Sequence, residues 1–155
     1  MEEPEKDRLV IEIKDDGMGM DQEVSQKAID PFFTTRTSRR VGLGLSLMAQ
    51  AAQEAGGRLR IESELGKGTK VTATFQYHHI DRKPLGSMME TMAMLLLGNP
   101  ELDISYTHQK GRKSYILNSQ VLKERFKDRS LIDPEVIQWL KKQLKEGLSQ
   151  IGVQG

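Results

Sequence analysis

The β-branched, apolar run Leu9-Val10-Ile11-Glu12-Ile13 stops at Asp15-Asp16-Gly17-Met18-Gly19-Met20, and this junction constrains the chain more than any other stretch. The run reads as a strand, because branched side chains pack well on a half-buried pleated surface. The two glycines that follow allow a tight turn and let another backbone or a flat ligand come close. A strand emptying into such a loop is where function is expected to begin.

Around this junction the chain reads as alternating helices and strands. Asp21 to Asp30 has an acidic start and helix-compatible residues before Pro31, which predicts a short helix. Pro31 opens the hydroxyl-rich, basic segment PFFTTRTSRR. From it, Gly42-Leu43-Gly44 leads into LSLMAQAAQEA, a run of strong helix formers ended by Gly56-Gly57. Arg58 to Ser63 and Lys70 to Tyr77 alternate in polarity and are joined by ELGKG, which predicts paired antiparallel strands. The polar stretch His78 to Pro84 marks a boundary between a first domain over residues 1–80 and a smaller extension over residues 84–155. In the extension, SMMETMAMLLLG reads as a helix closed by Gly98-Asn99-Pro100. Ile104 to His108 and Ser114 to Leu117 read as a hairpin, and Pro134 to about Leu148 as a helix with Asp133 as its N-cap.

Composition narrows the function. At 155 residues, 37% of them hydrophobic, the chain can bury the core of one ordinary domain and a modest extension. Its 23 basic and 22 acidic side chains nearly cancel, which removes the broad positive field that non-specific nucleic-acid or anionic-membrane binding needs. Cysteine is absent, so disulfides, zinc–thiolate sites and thiol nucleophiles are excluded. The acidic, polar start MEEPEKDR differs from a secretory signal, which predicts a cytoplasmic protein. The longest apolar run, Met88 to Leu97, is broken by Glu90 and Thr91 and falls short of the roughly twenty residues of a membrane helix.

The candidate chemistry lies in three patterns in fixed order: Asp15-Asp16-Gly17-Met18-Gly19-Met20, Pro31-Phe32-Phe33-Thr34-Thr35-Arg36, and Gly42-Leu43-Gly44-Leu45-Ser46-Leu47. An acidic-glycine turn standing alone is usually only a turn. In company it acquires a chemistry: a carboxylate at a strand end accepts a hydrogen bond from an exocyclic amine, and glycines let a planar ring approach the backbone. Asp15 is the candidate acceptor. Met20 offers a polarizable surface for the face of a base, against its ordinary use as core filling. Gly42 and Gly44 lead into a helix, whose N–H groups can bind phosphate oxygens with Arg36, Arg39 and Arg40 nearby. GLGLSL lacks the third glycine of a dinucleotide fingerprint, and Gly66-Lys67-Gly68-Thr69 lacks the spacing of a Walker loop.

In this order and spacing, the stretch from about Leu9 to Tyr77 resembles the C-terminal part of the GHKL, or Bergerat-type, ATPase fold shared by sensor histidine kinases, gyrase-type topoisomerases and related chaperones. Asp15, Gly17 and Gly19 match its first glycine box, whose aspartate recognises the adenine amino group, and Phe32-Phe33 match its F box. Gly42, Leu43, Gly44 and Leu45 match the second glycine box, which closes the phosphate lid; Gly66, Gly68 and Thr69 match the turn that opens the last strand. The resemblance implies an α+β fold, a partial Bergerat-type sandwich of mixed, mainly antiparallel sheet with helices on one face, plus a small C-terminal α/β extension. It implies a site for ATP or ADP built from Asp15, Gly17, Gly19, Met20, Arg36, Gly42, Leu43, Gly44, Leu45 and Thr69. The tail is similar to extensions on small proteins of this type associated with iron-only hydrogenase systems, which implies a protein partner in a redox complex.

The family carries a magnesium-coordinating asparagine and a nearby acid on a helix upstream of its first glycine box. Fourteen residues precede Asp15 here, and Asn99 and Asn118 both lie downstream. The expectation is a nucleotide-binding subunit without a catalytic residue or metal ligand of its own. A second chain or a longer N-terminus would supply Mg2+ coordination, and the alternative is an inactive scaffold or regulatory subunit. The strand Leu9 to Lys14 is expected to have an unpaired edge. His78 and His79 read as linker residues rather than phosphoacceptors, and His108 as a packing or surface residue. Val136, Trp139, Leu140 and Leu144 form a packing stripe, and Met88, Met89, Met92 and Met94 an adaptable core.

Overall fold

The computed structural model of the protein describes residues 1–30, 43–127 and 130–153. The chain divides into two compact units, one from Glu2 to Lys83 and one from Pro84 onward that also takes in Met1. Both combine helices with antiparallel strands, giving an α+β protein.

The first unit runs β1 (Glu2–Glu3), a 3-10 turn (Pro4–Lys6), β2 (Arg8–Asp15), α1 (Gln22–Lys27), α2 (Leu43–Glu54), β3 (Arg58–Glu64) and β4 (Gly68–Gln76). The strands lie in the order β3-β4-β2-β1, each described pair antiparallel. Because successive side chains leave opposite faces of a strand, the register sorts them into cross-strand rows. One face carries Leu59, Ala73 and Ile11 in one row and Ile61, Val71 and Ile13 in the next. The other carries Arg60, Thr72 and Glu12, then Glu62, Lys70 and Lys14, with Lys70 and Glu12 paired at 2.9 Å. Leu9, Val71 and Ala73 are buried on the apolar face, and α2, which packs against β3 and β4, buries Ala52. Alanines on that helix leave room for close approach to the strands.

Helix ends follow their chemistry. Asp21 caps α1 by accepting from the Val24 N–H at 2.8 Å. Beyond α2, Gly56 takes the left-handed conformation (φ 67°), while the Gly57 and Gly56 N–H groups donate to Ala52 O and Gln53 O at 2.7 and 3.1 Å. The expectation of an unpaired edge along Leu9 to Lys14 is corrected at one end of β2: Glu2 and Glu3 pair with Leu9 and Arg8. The Glu3 carboxylate holds this turn through Lys6, at 2.7 Å, and Arg8. Asp7 accepts from the Gln76 side chain and the His78 N–H, each at 2.8 Å.

The second unit contains α3 (Met88–Gly98), β5 (Ser105–Lys110), β6 (Lys113–Asn118), α4 (Ser119–Arg125) and α5 (Pro134–Gln150). Ser87 and Asp133 cap α3 and α5. Met92, Ala93, Leu96, Leu122, Leu140 and Leu144 form the buried centre, with Met88, Met89 and Trp139 packed at its margin; Met94 is exposed. The expected apolar stripe on α5 is therefore core. The short α4 was not anticipated: Asn118 accepts from the Gln120 N–H, and Ser119 and Ile104 exchange two hydrogen bonds, at 2.9 and 2.8 Å. His108 is buried with its Nδ1 2.7 Å from the Tyr106 hydroxyl. Among the described residues, no helix is long and apolar enough to cross a membrane.

Candidate functional site

The apolar face of the first sheet does not stay apolar to its end. Its last row is Ser63, Thr69 and Asp15, three polar residues that the pairings Ser63↔Thr69 and Asp15↔Thr69 bring side by side. The loop after β2 folds over this row. Asp15 Oδ1 accepts from the Gly17 N–H at 2.9 Å, closing an Asx turn. A carboxylate offers about four lone-pair sites, so the exposed Asp15 retains acceptor capacity after this bond.

Backbone interlocking fixes the loop. Gly19 has φ 65°, and a Cβ there would stand 2.0 Å from Glu64 O; Gly68 has φ 99°, and its Cβ would stand 2.1 Å from Asp15 O. A Cβ on Gly17 would come within 2.7 Å of Asp15 Oδ1. The Gly66 N–H donates to Met18 O at 2.8 Å and the Met20 N–H to Ser63 Oγ at 2.8 Å. Gly19 and Gly68 are thus required by backbone that passes through the space a Cβ would fill, whereas at Gly17 it is the Asp15 carboxylate that stands there. Met20 is half-buried, whereas Met18 is exposed.

Sequence reading missed Ser63. Its signal was available: Ser63 interrupts the alternation Leu59, Ile61 with a hydroxyl at the position that pairs with Thr69. Its Oγ lies 3.0 Å from Gly68 O and 2.9 Å from Thr69 Oγ1.

On the anion side, α2 is described from Leu43, so Gly44 lies within the helix rather than before it. N–H groups of a helix's first turn lack intrahelical acceptors, and among the described residues no acidic side chain stands in the first turn of α2. Leu43 and Gly44 are exposed and Leu45 is half-buried. Phe32, Phe33, Arg36, Arg39, Arg40 and Gly42 lie outside the described residues. His78 belongs to the turn around Asp7, its Nδ1 2.8 Å from Asp7 Oδ1, away from the polar row. Among the described residues, no cluster of three or more histidines, aspartates or glutamates could hold a metal ion.

Residues 1–79 match the model of the histidine kinase-, DNA gyrase B-, and HSP90-like ATPase. Among curated proteins, the chain is 42% identical over 67 residues to sensor kinase CckA of Brucella abortus, covering 43% of this chain and 7% of that protein. It is 38% identical over 65 residues to sporulation kinase E of Bacillus subtilis, covering 42% and 9%. It is 35% identical over 78 residues to sensor histidine kinase WalK of the same organism, covering 47% and 13%. The matched stretch is a small part of these kinases. The matched family model ends before the second unit and lends no support to the hydrogenase-type resemblance of the tail.

Proposed function

Because the chain belongs to the histidine kinase-, DNA gyrase B-, and HSP90-like ATPase family, we propose that its first unit binds ATP or ADP with the base against Asp15 and the phosphates toward the start of α2. One observation carries this reading: the apolar sheet face ends in the polar row Ser63, Thr69 and Asp15 under a glycine-interlocked loop. A ring slid along that face meets apolar surface first and hydrogen-bond acceptors at its edge, which suits an adenine with its amino group leading. Gly17 and Gly19 shape the approach, and Met20 lies at its margin. Leu43, Gly44 and Leu45 supply the helix start, while Arg36 and Gly42 complete the phosphate side in the same reading. If the γ-phosphate is transferred, these residues position the nucleotide and stabilise charge.

Assembly with another protein chain belongs to the same proposal. Ile13 is 53% exposed in its apolar row, and Leu43 and Leu47 are exposed on α2, which supports a covering partner.

Calorimetric titration of the purified protein with ADP and an ATP analogue, with and without magnesium, tests the nucleotide site. Asp15→Asn keeps an acceptor for the Gly17 N–H but presents an amide donor to the adenine amine. It should weaken binding by about tenfold to a hundredfold. Unchanged affinity overturns the assignment of Asp15, and absence of binding by the parent chain leaves a scaffold function in its place.

A further inference from the structure

We infer that the outward face of α3 is a self-association surface, on which a second copy of this chain packs antiparallel about a two-fold axis passing between Met94 and Leu95. The helix belongs to the second unit, beyond the residues 1–79 that match the family model. α3 has two apolar faces. One, through Met92, Ala93 and Leu96, is buried in the core of its own unit. The other, Thr91, Met94, Leu95 and Gly98, follows the i, i+3, i+4, i+7 spacing of a helix face. It is exposed, Met94 at 72% and Leu95 at 42%. A helix that is apolar all round is ordinarily buried all round, so this second face calls for a cover.

Charge and shape point to a second copy as that cover. A two-fold axis sets a face against itself, so a charge beside the axis would meet its own sign. From Thr91 to Gly98 the helix carries no charged residue, and Glu90, just before this stretch, is already paired with Lys141 at 2.9 Å. Polar groups are satisfied within the chain: the Thr91 hydroxyl donates to Ser87 O and the Asn99 amide to Leu95 O, each at 2.9 Å. With the axis between residues 94 and 95, Met94 lies against the partner's Leu95, and Thr91 against the partner's Gly98. Large side chains meet at the centre, methionine adapting its shape to leucine, and small residues meet on the flanks. Gly98 leaves room there, since a Cβ on it would touch nothing within 4 Å. A face built for a foreign protein has no need of this match between its two halves. The patch is small against the 1,200–2,000 Å² or so that specific interfaces bury in total, so the dimer is weak, with Kd on the order of 10–100 μM.

The test is sedimentation velocity of the purified full chain over a range of concentrations, applied to the parent, to Met94→Lys, to Leu95→Glu, to an equimolar mixture of those two variants, and to Ile116→Lys. The parent should sediment faster as concentration rises, approaching a dimer. Met94→Lys and Leu95→Glu each set an unpaired charge against an apolar side chain beside the axis, and each should weaken association by about tenfold or more. In the mixture the introduced lysine of one variant stands opposite the introduced glutamate of the other, while the remaining Leu95 and Met94 meet across the axis. Association should therefore return by about tenfold over either variant alone, and fall again as salt is added. Ile116, 65% exposed on β6 rather than on α3, serves as the control, and Ile116→Lys should leave the dimer unchanged. Because the substituted side chains are exposed, far-UV circular dichroism and Trp139 fluorescence should match the parent in every variant.

A parent that stays monomeric up to about 1 mM overturns the inference, whether the face is then covered by another part of this chain or by a foreign protein. Association that ignores both α3 substitutions, or that Ile116→Lys disrupts equally, places the contact elsewhere and overturns it as well. If each variant weakens the dimer but their mixture does not recover it, the antiparallel pairing of residues 94 and 95 is wrong and the inference falls. None of these outcomes bears on nucleotide binding by the first unit, which the calorimetric titration decides separately.

Discussion

At the scale of the residue, glycine does two different jobs in this chain. Gly19 combines a left-handed backbone with a missing Cβ that would stand 2.0 Å from Glu64 O. Left-handed geometry costs a non-glycine residue roughly 1–2 kcal/mol, and the clash is with backbone that cannot swing away. Gly19→Ala is therefore expected to displace the loop and abolish ADP binding in a calorimetric titration while far-UV circular dichroism stays near that of the parent; retained affinity would contradict the interlock. Gly147, in the interior of α5, tests the other job. Alanine there would gain up to about 1 kcal/mol of helix propensity, but its Cβ would stand 2.0 Å from Tyr115 Cε2. Overpacking costs about 1–3 kcal/mol, so clash should exceed propensity and Gly147→Ala should lower the urea midpoint.

At the scale of the element, the turn between β1 and β2 is held by charge. Asp7 sits in the left-handed region (φ 49°), and its carboxyl is held below the ordinary value of 3.8, first by the Gln76 side chain and then by the His78 backbone N–H. A carboxyl with a depressed folded value stabilises above its unfolded value, and that contribution is lost as pH falls through the folded one. The turn should therefore weaken as pH drops below 3.8. Asp7→Asn, which tolerates the same backbone, should flatten that acid dependence when urea midpoints are compared across pH; parallel curves would remove Asp7 from the account. In α5, Leu144 is fully buried beside Leu140 and Met92. Leu144→Ala should cost about 2–5 kcal/mol, read by the fluorescence of Trp139, the single tryptophan of the chain. Helices of this length were legible because apolar spacing and caps coincide. The seven-residue α4 was not, since it depends on Ser119 and Ile104 meeting across a gap in sequence.

At the scale of the whole molecule, each unit has its own buried residues, Leu9, Val71 and Ala73 in the first and the α3, α4 and α5 cluster in the second. A nucleotide bound only by the folded first unit stabilises it by mass action, by about 2.7 kcal/mol at a hundredfold excess over Kd. Under the proposed function, ADP at that excess should slow hydrogen exchange of the β2 and β4 amides accordingly. Exchange in those strands that ignores the nucleotide would argue against binding there.

What the sequence by itself determined is local. Branched runs made strands, Asp21, Ser87 and Asp133 made helix starts, and Gly56-Gly57 ended α2, because each signal acts within a few residues of its own backbone. The acidic-glycine loop could be recognised for the same reason, and with it Asp15, Gly17 and Gly19. Only the tertiary structure decided what stands beside Asp15. Residues 15, 63 and 69 become one row through strand register, and a slip of one residue would turn each side chain to the opposite face. Ser63 therefore carried little meaning as a letter, and acquired it when the pairing of β2, β3 and β4 set its hydroxyl between Met20, Gly68 and Thr69.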